Sequence, residues 1–173
     1  MDQPVNEVWR SIDGFINYQA SNVGRVRMAK SGRLLIPMAN LKGYLFVRLR
    51  NCEGVRKSKT SHRLVAQEFL SNSNNKPCVD HISRDRKNNA ITNLRWATWS
   101  DNSANKTKRQ ETTSKYVSMG WDSGKRKWHA RVHVDGRMYH LGYFESEDDA
   151  AMAYDEHAKV VHGEFATLNF PGT

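Results

Sequence analysis

The chain has 173 residues, with 27 Lys and Arg against 18 Asp and Glu, a formal net charge of +9, and 38% hydrophobic residues. That length fits one domain or a few very small ones with a thin core, and no apolar run approaches the ~18–20 residues that a membrane helix needs. The opening Met1-Asp2-Gln3-Pro4 lacks the charged and apolar stretches of a signal peptide, so a cytoplasmic protein is expected. Cys52 and Cys78 are too few for a disulfide scaffold or an all-cysteine zinc site. The positive excess points to a polyanion, usually nucleic acid. Its distribution is uneven. Residues 1–111 hold 20 basic and 9 acidic side chains, a net of +11, and residues 112–173 hold 7 and 9, a net of −2. Within that tail, Lys115 to His140 carries +4 and Leu141 onward carries −6, so the C-terminal part has one basic half and one acidic half.

Residues 7–56 read as short strands at Glu7–Ile12, Tyr18–Ser21, Arg25–Met28, Leu34–Met38 and Tyr44–Arg50. Glycines at roughly ten-residue spacing punctuate them, the pattern of a small antiparallel sheet. Over residues 62–70, Leu64, Val65, Phe69 and Leu70 share one face of a short amphipathic helix. Residues 71–77 are a loop. Val79 to Trp96 reads as strand, polar loop and strand, and a helix starts near Thr98 or Ser100. The polar stretch 103–114 reads as a helix tail running into a linker.

In residues 127–134, Trp128, Ala130, Val132 and Val134 alternate with Lys127, His129, Arg131 and His133, and Asp135-Gly136 signals a two-residue type I′ hairpin. Pairing Val134 with Arg137 sets Val132 opposite Tyr139 and Ala130 opposite Leu141 on an apolar face. The other face sets His133 beside Met138 and Arg131 beside His140. Ser146 and Asp149 have capping-box spacing. Ala150, Ala153, Tyr154, His157, Ala158 and Val161 form the apolar stripe of the following helix, which Gly163 ends. That helix covers the apolar sheet face, leaving the basic face open and the acidic helix surface pointing away. Trp128 shares the core phase, whereas Arg131 and His133 have the opposite phase and favour a polyanion.

Asp80-His81, Asn93 and Asn102 are the residues most suited to chemistry. Metal-assisted phosphodiester hydrolysis needs a base for water, oxygen ligands for a hard cation, and a group that orients the base. Asp80 and Asn102 offer oxygen ligands suited to Mg²⁺, and His81 can accept a proton near neutrality. Taken alone, an Asn-rich turn beside a surface histidine would give the same residues.

The run VDHISRDRKNNAITNLRWATWSDN at 79–102 resembles the HNH endonuclease motif, the ββα-metal or His-Me finger, in its phage homing form. The match falls on Asp80, His81, Asn93 and Asn102, with Leu94, Arg95 and Trp96 also fitting. Upstream, SHRLVAQEF at 61–69 and EVWRSIDGFINYQASNVGRVR at 7–27 are similar to the helix and the NUMOD4 module of the same endonucleases. The resemblance implies His81 as general base, Asn93 orienting it or its loop, and Asp80 and Asn102 holding one Mg²⁺ (or Mn²⁺) per active site. It implies 5′-phosphate and 3′-hydroxyl products. The zinc-binding cysteine pairs of other HNH proteins are missing, so no structural zinc is expected. Cys52 and Cys78 read as small core residues, and His62 as structural. Phosphate contacts are expected from Arg84, Arg86, Lys87 and Arg95.

Residues 114–170 resemble an AP2/ERF DNA-binding domain, three antiparallel strands backed by one helix. The resemblance rests on Trp121-Asp122, Lys127-Trp128-His129-Ala130, His140-Leu141-Gly142-Tyr143-Phe144, residues 149–155 and Leu168-Asn169-Phe170-Pro171. It implies a DNA-reading face of Trp121, Lys125, Arg126, Lys127, His129, Arg131, His133 and His140. Val117 and Gly120 stand where plant members often have base-reading arginines, so the plant target sequence is not carried over.

Together these readings give an α+β protein in parts. They are a β-rich NUMOD4-like module at 1–58, an HNH ββα-metal core at 59–105, a linker at 106–114 and an AP2-like sheet-on-helix domain at 115–173. The expected partner is double-stranded DNA, with no membrane and no small-molecule substrate. The expected activity is a homing-type endonuclease that nicks one strand as a monomer, in the bacterial host cytoplasm if phage-encoded. The alternative is a non-catalytic AP2-type regulator carrying a degenerate HNH module.

Overall fold

In the computed structural model, residues 6–105 and 113–172 are described. The expected linker therefore lies largely outside the described residues. The chain forms two compact units, Met1–Trp96 and Ala97–Thr173, and among the described residues no helix is long and apolar enough to cross a membrane. The architecture is α+β with small antiparallel sheets.

The first unit opens with an antiparallel sheet of β1 (Trp9–Ile12), β2 (Phe15–Ser21) and β3 (Val26–Met28). A second sheet holds β4 (Met38–Ala39), β5 (Leu45–Arg50) and β6 (Arg56–Thr60). Of the strand expected at 34–38, only a bridge from Leu34 to Arg27 and the start of β4 form. β6 (RKSKT) has no apolar periodicity, yet it is paired from Arg56 opposite Arg50 to Thr60 opposite Phe46. The Asn51–Val55 turn dictates this pairing, since Asn51 Oδ1 accepts from the Val55 N–H at 2.8 Å.

α1 (Ser61–Phe69) follows without a break and buries Leu64, Val65 and Ala66, with Phe69 and Leu70 packed at the rim. β7 (Cys78–His81) and β8 (Leu94–Ala97) then pair as a two-stranded sheet. One core runs from Ile12, Phe15 and Val26 through Val47, Leu49 and Val65 to Val79 and Leu94. The segments on either side of residue 58 therefore share one hydrophobic interior, and the expected boundary falls inside β6.

The second unit begins with α2 (Trp99–Ala104), whose start carries a complete capping box: Thr98 Oγ1 accepts from the Asp101 N–H, and Asp101 Oδ2 accepts from the Thr98 N–H. The helix is tied into this unit, since Ser100 Oγ accepts from the Asp135 N–H at 3.1 Å and Thr167 Oγ1 donates to the Ala104 carbonyl at 2.8 Å. β9 (Met119–Asp122), β10 (Lys127–Val134) and β11 (Arg137–Phe144) form a sheet in the order β11-β10-β9, with α3 (Glu147–His162) packed on one face.

Asp135 and Gly136 both have positive φ, 49° and 78°, as a type I′ turn requires. The register holds from Val134 opposite Arg137 to Arg131 opposite His140. It then shifts, so that Ala130 faces Gly142 rather than Leu141. The extra residue is a β-bulge. The α3 stripe is also rotated from its expected position. Ala150, Ala151, Tyr154, Asp155, Ala158 and His162 are buried, whereas His157 and Val161 are exposed. The cause is Asp155, whose carboxylate accepts from the N–H groups of Asn169 and Phe170 at 2.8 Å each and from Asn169 Nδ2 at 3.2 Å. A polar residue thus takes a core position because it anchors the returning C-terminal segment.

Candidate active site and nucleic-acid surfaces

β7 is buried along its whole length and ends on Asp80 and His81, 5% and 4% exposed. Burial removes water from both side chains, so each needs a protein partner. Asp80 Oδ2 accepts from Arg95 Nε at 2.9 Å across the β7–β8 pair. Arg95, expected at a DNA phosphate, is thus engaged with Asp80, and its side chain is only 14% exposed.

His81 Nε2 lies 3.0 Å from Asn89 Oδ1. Its pKa is lowered, chiefly by burial, with Asn89 and the nearby carboxylates of Asp80 and Asp85 opposing the shift. A neutral imidazole able to accept a proton near neutrality is the consequence.

The ring of His81 is walled by two others. His62, from the first turn of α1, meets it edge-on at 5.0 Å, and Tyr44 lies 5.9 Å away. Burial, with His81 and Arg63 adding to it, pushes the His62 pKa down to about 4. Arg86 closes this corner. Its guanidinium lies 4.8 Å over the Tyr44 ring and donates to the Lys42 carbonyl at 2.6 Å.

Asn93, buried just before β8, braces the connecting loop rather than touching the imidazole. Its Oδ1 accepts from the Ser83 N–H and its Nδ2 donates to the Asn88 carbonyl, both at 2.8 Å. Arg84, in the left-handed region at φ 64°, and Lys87 are exposed on the same loop. Asn102 lies on α2, which clusters with residues 97–173, and is half-buried.

Sequence reasoning missed Asn89 and Tyr44. Nothing in the pattern separates Asn89 from Asn88, and Tyr44 is remote in the chain. Among the described residues no three His, Cys, Asp or Glu side chains cluster to hold an ion by themselves. A site built on Asp80 therefore draws on amide oxygen or solvent, a donor set that suits a hard divalent cation.

The region around this site matches known families in two stretches. Residues 7–50 match the NUMOD4 motif, and residues 59–104 match the HNH endonuclease model. Residues 59–104 are thus similar to an HNH endonuclease module.

Over 102 residues the chain is 37% identical to the DNA endonuclease I-HmuI of Bacillus phage SP01, covering 58% of each chain. A solved structure described as DNA binding and cleavage by the HNH homing endonuclease I-HmuI superimposes with a TM-score of 0.52 at 37% identity. It covers 56% of this chain and 55% of that one. An uncharacterized HNH endonuclease of Acanthamoeba polyphaga mimivirus is 40% identical over 82 residues, 47% of this chain and 24% of that protein. The matched stretches thus span from about a quarter to under three fifths of these relatives. A shorter likeness, 38% over 63 residues, links 36% of this chain to 18% of an AP2-like ethylene-responsive transcription factor of Arabidopsis thaliana. The HNH module contains the Asp80, His81, Asn89 and Asn93 constellation, and the NUMOD4 stretch contributes Tyr44 beside it.

In the second unit, α3 covers the face of Ala130 and Val132, while Trp128, Leu141 and Phe144 pack around that core. The opposite face carries His129, Arg131, His140 and Tyr143. His140 and Tyr143 are 4.6 Å apart, and His129 lies 5.9 Å from His140. The bulge makes this possible, because one extra residue returns Tyr143 to the side of His129, its direct partner. Lys125 Nζ sits 3.8 Å over the Tyr143 ring.

The His129 ring lies over Gly120, where a Cβ would come within 2.7 Å of it. Arg131 Nη2 approaches His129 Nε2 at 3.5 Å. His133 is exposed, as is Arg126 at φ 52°. Trp121 is 43% exposed against Trp128. Lys127, expected at DNA, is paired with Glu145 at 2.8 Å.

Proposed function

We propose that the chain is a homing-type, site-preferring DNA endonuclease that nicks one strand of double-stranded DNA as a monomer. The observation that carries this reading is the buried Asp80-His81 pair at the end of β7, inside the stretch that matches the HNH model. His81 takes a proton from water as the water oxygen bonds to phosphorus and the bond to the 3′-oxygen breaks, the departing oxygen taking up a proton from solvent. The products carry a 5′-phosphate and a 3′-hydroxyl. Asp80 would hold a divalent cation, Mg²⁺ or Mn²⁺, which when bound would stabilise charge on the phosphate and the departing oxygen. Asn93 keeps the 83–88 loop closed, and Arg84, Arg86 and Lys87 face the backbone of the duplex. The AP2-like sheet adds a second contact through Arg131, His133 and His140, and tethering of the two raises effective concentration on a long target.

The test is nicking of supercoiled DNA in Mg²⁺ by the wild type beside His81→Ala. Loss of nicking in the variant is expected. Equal nicking by both proteins, or none by either, overturns the catalytic reading, and retained DNA binding would then favour the regulator.

A further inference from the structure

We infer that Asn89 is a positioning residue that fixes the tautomer of His81, and that the β2–β3 turn at Asn22–Gly24 holds Asn89 in place. This rests on the reading of His81 as the base. A neutral imidazole has one N–H and one lone pair, and only the nitrogen with the lone pair accepts a proton from water.

The orientation of the Asn89 amide decides which nitrogen that is. Its Nδ2 donates to the Lys87 carbonyl at 3.2 Å, so the atom facing His81 Nε2 at 3.0 Å is the acceptor oxygen. An oxygen there requires the proton on Nε2, which puts the lone pair on Nδ1. Asn89 is 3% exposed, so water is a poor substitute for this bond.

The β2–β3 turn supplies the other half of the device. Gly24, at φ 94°, lies so close to Asn89 that a Cβ would come within 2.8–2.9 Å of its carbonyl carbon, oxygen and Cβ. Two residues further along, the Ile91 N–H donates to the Asn22 carbonyl at 2.9 Å. The backbone of Asn89 is therefore fixed from outside the HNH stretch, by a turn of the NUMOD4 stretch. A side chain at position 24 meets backbone, which cannot swing aside as a rotamer can.

The experiment records the imidazole ¹⁵N shifts of His81 in the full-length protein without metal or DNA, at a pH where the ring is neutral, with His81→Gln identifying the signal. Nicking is measured in parallel on wild type, Asn89→Leu, Asn89→Asp and Gly24→Ala, and thermal melting confirms that each variant is folded.

In the wild type and Asn89→Asp the Nε2–H form should dominate, since both present an oxygen to Nε2. Asn89→Leu and Gly24→Ala should shift the ring towards a mixture. Nicking by Asn89→Leu should fall about 10-fold, well short of the ~10⁴-fold loss known for an imidazole base held wholly in the wrong tautomer, because a mixture keeps part of the ring in the productive form. An unchanged tautomer in folded Asn89→Leu, or an Nδ1–H form in the wild type, overturns the inference even if His81 proves essential. Should His81→Ala nick normally, the base reading itself fails, whatever the tautomer.

Discussion

Asp80 and Arg95 face each other across the β7–β8 pair at 2.9 Å, with side chains 6% and 14% exposed. Removing one member of such a pair leaves an uncompensated charge in a dry site. Arg95→Leu is therefore expected to destabilise the first unit by about 3 kcal/mol, measured by urea unfolding without divalent cations. Adding millimolar Mg²⁺ should recover part of that loss, because a cation at Asp80 returns the missing countercharge. A variant as stable as the wild type would show that the pair contributes nothing to folding.

His62 links stability to acidity. Its folded pKa of about 4 lies below the ordinary value of 6.5, so between these limits the unfolded chain takes a proton that the folded chain refuses. Its contribution is fully present above pH 6.5 and is lost as the pH falls towards 4. The loss amounts to about 3 kcal/mol. His62→Phe keeps a ring against His81 but cannot protonate, so the fall in stability across that window should be shallower. Denaturation at a series of pH values measures it, and an identical slope in the two proteins would refute it.

Arg131 stands among exposed and half-exposed groups of the open sheet face, opposite the covered one. Arg131→Ala should weaken DNA binding while leaving the melting temperature unchanged. It should also lower the slope of log affinity against log salt by about 1, as expected for one lost phosphate contact. Fluorescence anisotropy at several salt concentrations is the measurement, and unchanged affinity would remove this face from the binding surface.

Asp155 gathers three N–H donors of Asn169 and Phe170 onto one buried carboxylate. Asp155→Ala strands two backbone donors and should cost the second unit about 3 kcal/mol. Asp155→Asn, which retains an acceptor, should cost less. Thermal melts of the full chain would rank the two, and reversed order would contradict the anchoring role.

Features whose placement is set by neighbours in the chain were legible in the sequence. The Asp135-Gly136 turn, the alternation of β10 and the Asp80-His81 pair each rest on local pattern or local motif. What the sequence hides depends on distant partners. β6 is a strand because the Asn51–Val55 turn folds it against β5, not because RKSKT alternates. The α3 stripe turns towards Asp155 because residues 169–170 return to it. Leu141 looks like one more alternating residue until the bulge skips it. Asn89 becomes distinct from Asn88 only when Gly24, 65 positions earlier in the chain, presses on it. Arg95 reads as a free cation until Asp80 is seen across the sheet.

The interior shared by Ile12, Leu49, Val65 and Leu94 bears on how such genes can be recombined. Two coding segments joined at residue 58 would cut β6 in the middle and pair a foreign wall with the apolar faces of α1 and β7. A transplanted segment carrying α1, β7 and β8 would then have to bring its own β1–β6, or a lining of matching shape, to remain folded. The first 96 residues are thus inherited as one folded parcel, which accepts point changes on its surface more readily than exchange of its halves.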